Sequence, residues 1–327
     1  MRILVTGGAG YIGSHTVRRL LAGGHTVTVF DNLSAGHRAA VPDGLLVEGD
    51  LRDGELLKRE MAGRRVEAVV HFAASANVGE SVADPALYYA NNVLGSLSLL
   101  DACRAAGVSR FVFSSTCATY GTPQAVPITE AEPQRPINPY GNTKLAVERA
   151  AADYAAAYGV GCCFFRYFNA AGAAPDGTLG EDHTPETHLL PLAIAAAAGR
   201  RPPLDLYGTD YPTPDGTCVR DYIHVDDLAT AHALALDRLR PGEVKAFNLG
   251  TGRGQSVREV IRAVERVTGM TVPARECPRR TGDPPALVAD ASLVRREWGW
   301  EPEYREFERI VETAWNWHRT HPNGFAA

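Results

Sequence analysis

Tyr140 and Lys144 stand four residues apart in Tyr140-Gly141-Asn142-Thr143-Lys144. On a helix, positions i and i+4 share a face, so this spacing sets an ammonium beside a phenol. A phenol titrates near 10. To act as a base near neutrality it needs a downward shift of about three units, about 4 kcal/mol of preferential phenolate stabilisation. A nearby ammonium in a site of lowered dielectric supplies part of that. Thr116 ends the run Phe113-Ser114-Ser115-Thr116, 24 residues before Tyr140, and its hydroxyl can donate to a reacting oxygen. Of 33 basic residues only Lys58, Lys144 and Lys245 are lysine, so a lysine retained at this spacing points to a chemical requirement. Taken alone, the pattern also describes an ordinary amphipathic helix face.

A second motif gives the pair its context. Gly7-Gly8-Ala9-Gly10-Tyr11-Ile12-Gly13 follows a short apolar run and opens a helical pattern. Glycines there allow a tight turn and close backbone approach, and the helix start supplies unpaired N–H groups and a positive dipole end. Together these make a pyrophosphate cradle. Asp31 lies 18 residues after Gly13. A carboxylate there accepts both ribose hydroxyls of an adenosine and repels a 2′-phosphate, so NAD is expected rather than NADP. With NAD bound, the positive nicotinamide ring adds to the stabilisation of the phenolate, and Lys144 can also hold the nicotinamide ribose. Asp50 reads two ways: a partner for the adenine amine, or the N-cap of the next helix.

The elements that must position these groups alternate. Apolar runs at 3–6, 26–30, 45–48, 68–72, 110–115 and 161–167 lack period-two alternation, as strands covered on both faces do. Helical patterns at 12–22, 53–61, 85–106 and 139–158 lie between them. The expected fold is α/β: a doubly wound parallel sheet of Rossmann type with a second, smaller α/β lobe for substrate. Beyond 168 the texture changes, and 172–180 and 202–216 are dense in Gly, Pro and Asp and read as long loops. Helix 226–238 then precedes strand 245–249, and helix 257–268 precedes strand 272–276. The expected division gives the dinucleotide domain 1–167 plus about 223–250. The substrate lobe takes about 168–222 plus 251–327.

Bulk properties exclude other classes. The 327 residues carry a net charge of −5, against the basic face of a nucleic-acid binder. The chain runs from Met1-Arg2 directly into a strand pattern, so no secretory leader is expected. The longest apolar stretch, 189–198, is too short to span a bilayer. The six cysteines form no C-x-x-C pair, and no histidine cluster sits at zinc-ligand spacing. Free thiols, a cytoplasmic setting and no metal are the expectation.

Together these residues resemble the extended short-chain dehydrogenase/reductase family, and within it the UDP-hexose 4-epimerases. The resemblance runs from about Ile3 to Phe325. It is carried by TGGAGYIGSH (6–15), HFAA followed by VGES (71–81), FSSTCATYG (113–121), RYFNAAGA (166–173) and YPTPDGTCVRDYIHVDDLA (211–229). It implies interconversion of UDP-glucose and UDP-galactose through bound NAD and a 4-keto sugar. Tyr140, Lys144 and Thr116 would be catalytic. Gly7, Gly10, Tyr11, Ile12, Gly13, Asp31, Asn32, Asp50, Leu51, Phe72, Ala73, Ala74, Asn92, Ser114 and Phe168 would line the NAD site, with Tyr140 and Lys144. Thr116 would also face the sugar, while Asn169, His188, Leu189, Tyr207, Arg220, Arg280 and Asp283 would hold the uridine diphosphate. A planar guanidinium can fork onto a diphosphate, which suits Arg220 and Arg280. The resemblance also implies a homodimer through the apolar, Ala-rich helices near 85–106 and 145–158; burial within the monomer fits the same pattern.

Two positions depart from the family pattern. Ala76 stands where a lysine near the nicotinamide is common, and Leu287 stands where Tyr or Cys gates room for an N-acetyl group. UDP-N-acetylhexosamines and UDP-pentoses stay open as substrates. The related 4,6-dehydratases need an acidic pair directly after the Thr; here Cys117 and Ala118 follow, which disfavours dehydration. A catalytically idle NAD-binding scaffold would have no use for both Tyr140 and Lys144.

Overall fold

The computed structural model describes residues 1–280 and 282–325. The chain divides into two compact units. Unit 1 comprises Met1–Thr122, Pro133–Arg166 and Leu228–Phe247; unit 2 comprises Pro123–Glu132, Tyr167–Asp227 and the chain from Asn248 on.

The first half alternates through β1 (Arg2–Thr6), α1 (Tyr11–Ala22), β2 (Thr26–Asp31), β3 (Leu46–Glu48), α2 (Gly54–Gly63) and β4 (Ala68–His71). It continues with α3 (Val78–Ala83), α4 (Pro85–Tyr88), α5 (Gly95–Ala106), β5 (Arg110–Thr116), α6 (Pro139–Tyr158) and β6 (Gly161–Tyr167). Then come β7 (Asn169–Ala171), α7 (Leu189–Ala197), β8 (Leu204–Tyr207), β9 (Val219–His224), α8 (Val225–Arg238) and β10 (Val244–Leu249). The last elements are β11 (Gly254–Ser256), α9 (Val257–Thr268), β12 (Ala274–Cys277), β13 (Ala286–Leu287), α10 (Ser292–Trp298) and α11 (Phe307–Thr320).

The seven-stranded sheet of unit 1 has the order β10-β6-β5-β4-β1-β2-β3. The strands β1 to β5 pair in parallel, Ile3 lying between Val27 and Ala68. This is the doubly wound order, which reverses direction beside β1 and opens a crevice at the strand ends. Leu4, Phe30, Leu57, Val69, Phe111, Phe113 and Cys162 belong to its core. The helix that presents the Tyr–Lys pair is well delimited. Asn138 caps α6 by accepting from the Gly141 amide at 2.8 Å, Pro139 takes the first helical position, and Gly159 ends it at φ 75°.

The single helix expected over 85–106 is instead α4, a π-helical stretch Tyr89–Leu94, and α5, with α3 ahead of them. The local cause at the front is two successive caps, Asn77 for α3 and Asp84 with Pro85 for α4. The wide turn carries Asn92, whose buried amide bonds Ser75 and Thr143, and periodicity does not report such tertiary contacts.

In unit 2, β9 is flanked by parallel β7 and β13 and by antiparallel β11, with Asn169 opposite Tyr222 and Leu287 opposite Arg220. α7, α9 and α11 pack on one another around Leu190, Ile194, Val260, Val264, Ile310 and Val311. Ser256 and Glu259 form a reciprocal capping box at the start of α9. The stretch 202–216, expected as loop, contains β8. Its partner β12 lies far along the chain, Leu204 facing Ala274, which a local reading does not see. Among the described residues no helix is long and apolar enough to cross a membrane.

Candidate active site

Unit 1 assembles the expected cradle. Gly7 adopts φ 70°, and a Cβ there would lie 2.4 Å from the Ala73 amide nitrogen; at Gly13 it would lie 2.1 Å from the Gly7 carbonyl oxygen. Both positions therefore require glycine, one for backbone conformation and both for close approach. α1 begins at Tyr11 and Ile12, and its N-cap Gly10 contributes no side-chain hydrogen bond. The first amides of α1 are thus left without a side-chain cap, which suits an anion. Asp31 closes β2 and is buried; it accepts from the Ala9 amide at 3.0 Å and the Leu33 amide at 2.9 Å. Burial pushes its pKa up while those bonds pull it down. Each carboxylate oxygen keeps a second lone pair for a ribose hydroxyl. These features fit a dinucleotide.

Asp50 is resolved against one of its two readings. The N-cap of α2 is Asp53, which accepts from Leu56 at 3.0 Å. Asp50 instead accepts from the Arg52 amide and binds its guanidinium at 2.8 and 2.7 Å. That guanidinium holds the Asp50 carboxyl well below the usual range. Asn32 also reaches it, at 3.4 Å, and Leu51 beside it is buried.

Phe72, half-buried, packs against the His232 ring at 4.7 Å, and the Phe72 and Ala73 amides both donate to the Thr6 carbonyl. Ala74 is half-buried and Ala76 exposed. Asn92 bonds Ser75 and Thr143 and also accepts from the Asn91 side-chain amide, so it fixes the loop after β4 and the start of α6.

The Tyr–Lys pair and Thr116 lie where β5 ends and α6 begins. Tyr140 sits in the first turn of α6, Lys144 one turn later, and Thr116 is the last residue of β5. Burial pushes the Tyr140 phenol up to about 12, and a hydrogen bond with Thr116 pulls the other way. Lys144 is 3% exposed; its Nζ donates to the Ser114 carbonyl at 2.8 Å and lies 5.9 Å from the Tyr140 ring centre. Burial brings it down to about 7, against the pull of Glu148. Desolvation penalises phenolate and ammonium alike, so burial moves both groups toward their neutral forms.

Two features of this site were not anticipated from sequence. His71 is buried between the Thr6 hydroxyl at 2.7 Å and the Ser96 hydroxyl at 2.8 Å, and burial, then the Lys144 charge, lowers its pKa to about 3. Behind Lys144, Glu148 and Arg166 form a buried ion pair with an Nη2–Oε2 distance of 2.6 Å. Ser115 and Gln134 also donate to Glu148, and Arg166 reaches the Tyr120 hydroxyl at 3.2 Å. The E in position 148 is another i+4 step from Lys144, the one signal the sequence held.

Unit 2 brings its own expected residues into two groups. Arg220 donates to the carbonyls of Val219 and Pro284 and stands 3.5 Å from the Asp283 carboxylate, with Leu287 beside it in register. The Arg280 guanidinium lies 4.5 Å over the Tyr207 ring. Phe168 is buried, and Asn169 is half-buried in β7. His188 precedes Leu189 at the start of α7 and faces Glu181 at 2.8 Å and Glu186 at 3.1 Å. His183 joins them, so four potential metal ligands converge. In the sequence the pair His183 and His188 supplies only two ligands, and Glu181 and Glu186 join them only in the folded loop.

The comparisons agree with this geometry. Residues 3–250 match the NAD dependent epimerase/dehydratase family. The UDP-glucose 4-epimerase of Lacticaseibacillus casei is 51% identical over 327 residues, 99% of each chain. A crystal structure of UDP-glucose 4-epimerase from Brucella ovis in complex with NAD superposes with TM-score 0.93 at 54% identity, over 96% of this chain and 97% of that one. The Bifidobacterium longum UDP-glucose 4-epimerase in complex with NAD+ and UDP gives 0.95 at 40% identity, over 99% and 100%. The chain thus belongs to the NAD dependent epimerase/dehydratase family.

Proposed function

We propose that this chain interconverts UDP-glucose and UDP-galactose by inverting C4 of the hexose. The observation that carries the reading is the Thr116–Tyr140–Lys144 group at the end of β5, in the same unit as the glycine cradle and Asp31. The α1 amides at Tyr11 and Ile12, with Gly7, Gly10 and Gly13, would hold the pyrophosphate, and Asp31 the adenosine ribose. Asn32, Asp50 and Leu51 would border the adenine end. Phe72, Ala73, Ala74, Asn92, Ser114 and Phe168 would border the nicotinamide half. When bound, NAD supplies a reversible hydride acceptor for C4 and a positively charged ring beside the phenol.

The chain's own residues handle the proton and the grip. Tyr140 takes the proton of the 4-hydroxyl and returns it to the same oxygen, so no net proton is consumed. Thr116 donates to that oxygen and holds it against the phenol. Lys144, brought down to about 7 by burial, contributes in its protonated form the charge that the phenolate needs. In unit 2, Arg220, Arg280, Asn169, His188, Leu189 and Tyr207 would hold the uridine diphosphate, with Asp283 fixing Arg220. A firm hold on the nucleotide leaves the hexose free to present either face. Cys117 and Ala118 place no acid after Thr116, which argues against water elimination.

We further propose a homodimer through the apolar side chains left exposed on α3 to α5, among them Val82, Leu87 and Leu94, together with Tyr158 at the end of α6. Sedimentation of the purified chain at dimer mass supports this, and monomer at micromolar concentration overturns it. All six cysteines are free, which suits the reducing cytoplasm.

The test of function is turnover. Purified protein with added NAD and no reductant is given UDP-galactose, and UDP-glucose formation is followed by NMR. Parallel reactions use UDP-N-acetylhexosamines and UDP-pentoses, with half-buried Leu287 the position to vary. Interconversion of the plain hexoses is expected. Conversion of only an N-acetylated or pentose substrate moves the substrate assignment, and no conversion of any overturns it.

A further inference from the structure

The segment before α7 reads Glu181-Asp182-His183-Thr184-Pro185-Glu186-Thr187-His188, and the proposed reaction uses only its last residue. Its Glu and His side chains do not diverge as successive loop residues usually do. One ligand atom from each of Glu181, His183, Glu186 and His188 can be chosen so that all lie within 4.8 Å of one another. His183 Nδ1 stands 3.3 Å from Glu181 and 3.5 Å from Glu186, and His188 Nδ1 stands 2.8 and 3.1 Å from the same carboxylates. Four ligands at about 2.1 Å from a tetrahedral centre stand about 3.4 Å apart, so the two His183 separations match edges of such a tetrahedron, and the His188–Glu181 pair would open from 2.8 Å to admit a cation. We propose that Glu181, His183, Glu186 and His188 form a binding site for a divalent transition cation of the zinc class.

The donor set favours this class. Two imidazole nitrogens suit zinc and its neighbours, whereas magnesium and calcium prefer an all-oxygen shell. The support is in place as well. Glu181 is buried, and its carbonyl accepts from Nε1 of the fully buried Trp317 at 3.3 Å. The Glu186 carboxylate is fixed by the Thr187 and His188 amides, both at 2.7 Å. Four protein ligands leave no open position, so the site is structural. Its cation would pin the loop to α11 and set the direction in which α7 begins. The inference rests on ligand geometry and shares one residue with the proposed reaction: His188 Nδ1 faces the carboxylates, and its Nε2 would remain for the diphosphate.

The test uses the full chain, stripped with a chelator and titrated with zinc alone, with cobalt(II) as the spectroscopic probe. One equivalent per chain is expected, with the visible absorption of tetrahedral cobalt and a higher thermal midpoint on zinc addition. Removing a direct ligand in His183→Gln or Glu186→Gln should weaken uptake by more than the ~100-fold that loss of a supporting hydrogen bond costs. Absence of stoichiometric uptake by the wild-type chain, an octahedral cobalt spectrum, or uptake unchanged in folded His183→Gln overturns the proposal. The cluster is then a set of carboxylate–imidazolium pairs. If both variants fail to fold, the wild-type stoichiometry and spectrum decide alone.

Discussion

Glu148 and Arg166 set a testable energy scale for the support behind Tyr140 and Lys144. They are 3% and 7% exposed, and the guanidinium meets the carboxylate at 2.6, 3.1 and 3.2 Å. Glu148→Leu leaves a buried guanidinium that still donates to the Tyr120 hydroxyl, and strands the donors of Ser115 and Gln134. The cost of breaking such a pair is about 3–5 kcal/mol, and the stranded donors place it at the upper end. Arg166→Met leaves a buried carboxylate that keeps two neutral donors, so about 3 kcal/mol is expected. The double variant removes both charges of the pair and should fall within about 2 kcal/mol of wild type, giving a coupling of several kcal/mol. Tryptophan fluorescence is the wrong probe, since Trp298, Trp300, Trp315 and Trp317 all lie in unit 2. Hydrogen exchange of the α6 amides reads the correct unit. A coupling below about 0.5 kcal/mol refutes the account of Glu148–Arg166 as a mutually dependent buried pair.

Other consequences are as direct. Tyr140→Phe should lower turnover by roughly 10²–10⁴-fold and leave UDP-sugar affinity nearly unchanged, measured by kcat beside calorimetric Kd; full activity would remove Tyr140 from the proton path. The chain has three lysines, so Lys144 can be followed by NMR of isotope-labelled side chains. Its titration should centre near 7, and Glu148→Gln should move it lower, because Glu148 now holds it up; an ordinary value near 10 would mean that the group is not desolvated. His71, with its pKa lowered to about 3, binds its proton more weakly folded than unfolded. Stability should therefore fall as pH drops from about 6.5 toward 3, by up to ~1.4 kcal/mol per unit from this group. His71→Asn should flatten that slope in urea unfolding, and an unchanged slope would refute the assignment.

Local pattern was enough for much of this protein. The spacing of Gly7, Gly10 and Gly13 between an apolar run and a helix start states its own geometry, because the turn, the close approach and the bare amides are properties of a few adjacent residues. Tyr140 and Lys144 share a face because helix periodicity alone puts them there, and Asn138-Pro139 marks where that helix begins. The strands of the large sheet are legible because burial on both faces leaves uninterrupted apolar runs. Tertiary structure decided the rest. β8 exists because β12, some 70 residues later, pairs with it. The π-helical turn at Asn92 answers to Ser75 and Thr143, and Glu148 finds Arg166 across two elements. The convergence of Glu181, His183, Glu186 and His188 depends on how one loop turns back on itself. The protonation of Tyr140 and Lys144 belongs here too: spacing brings an ammonium toward a phenol, but how far each gives up its charged form depends on the water removed from around both, and only packing sets that.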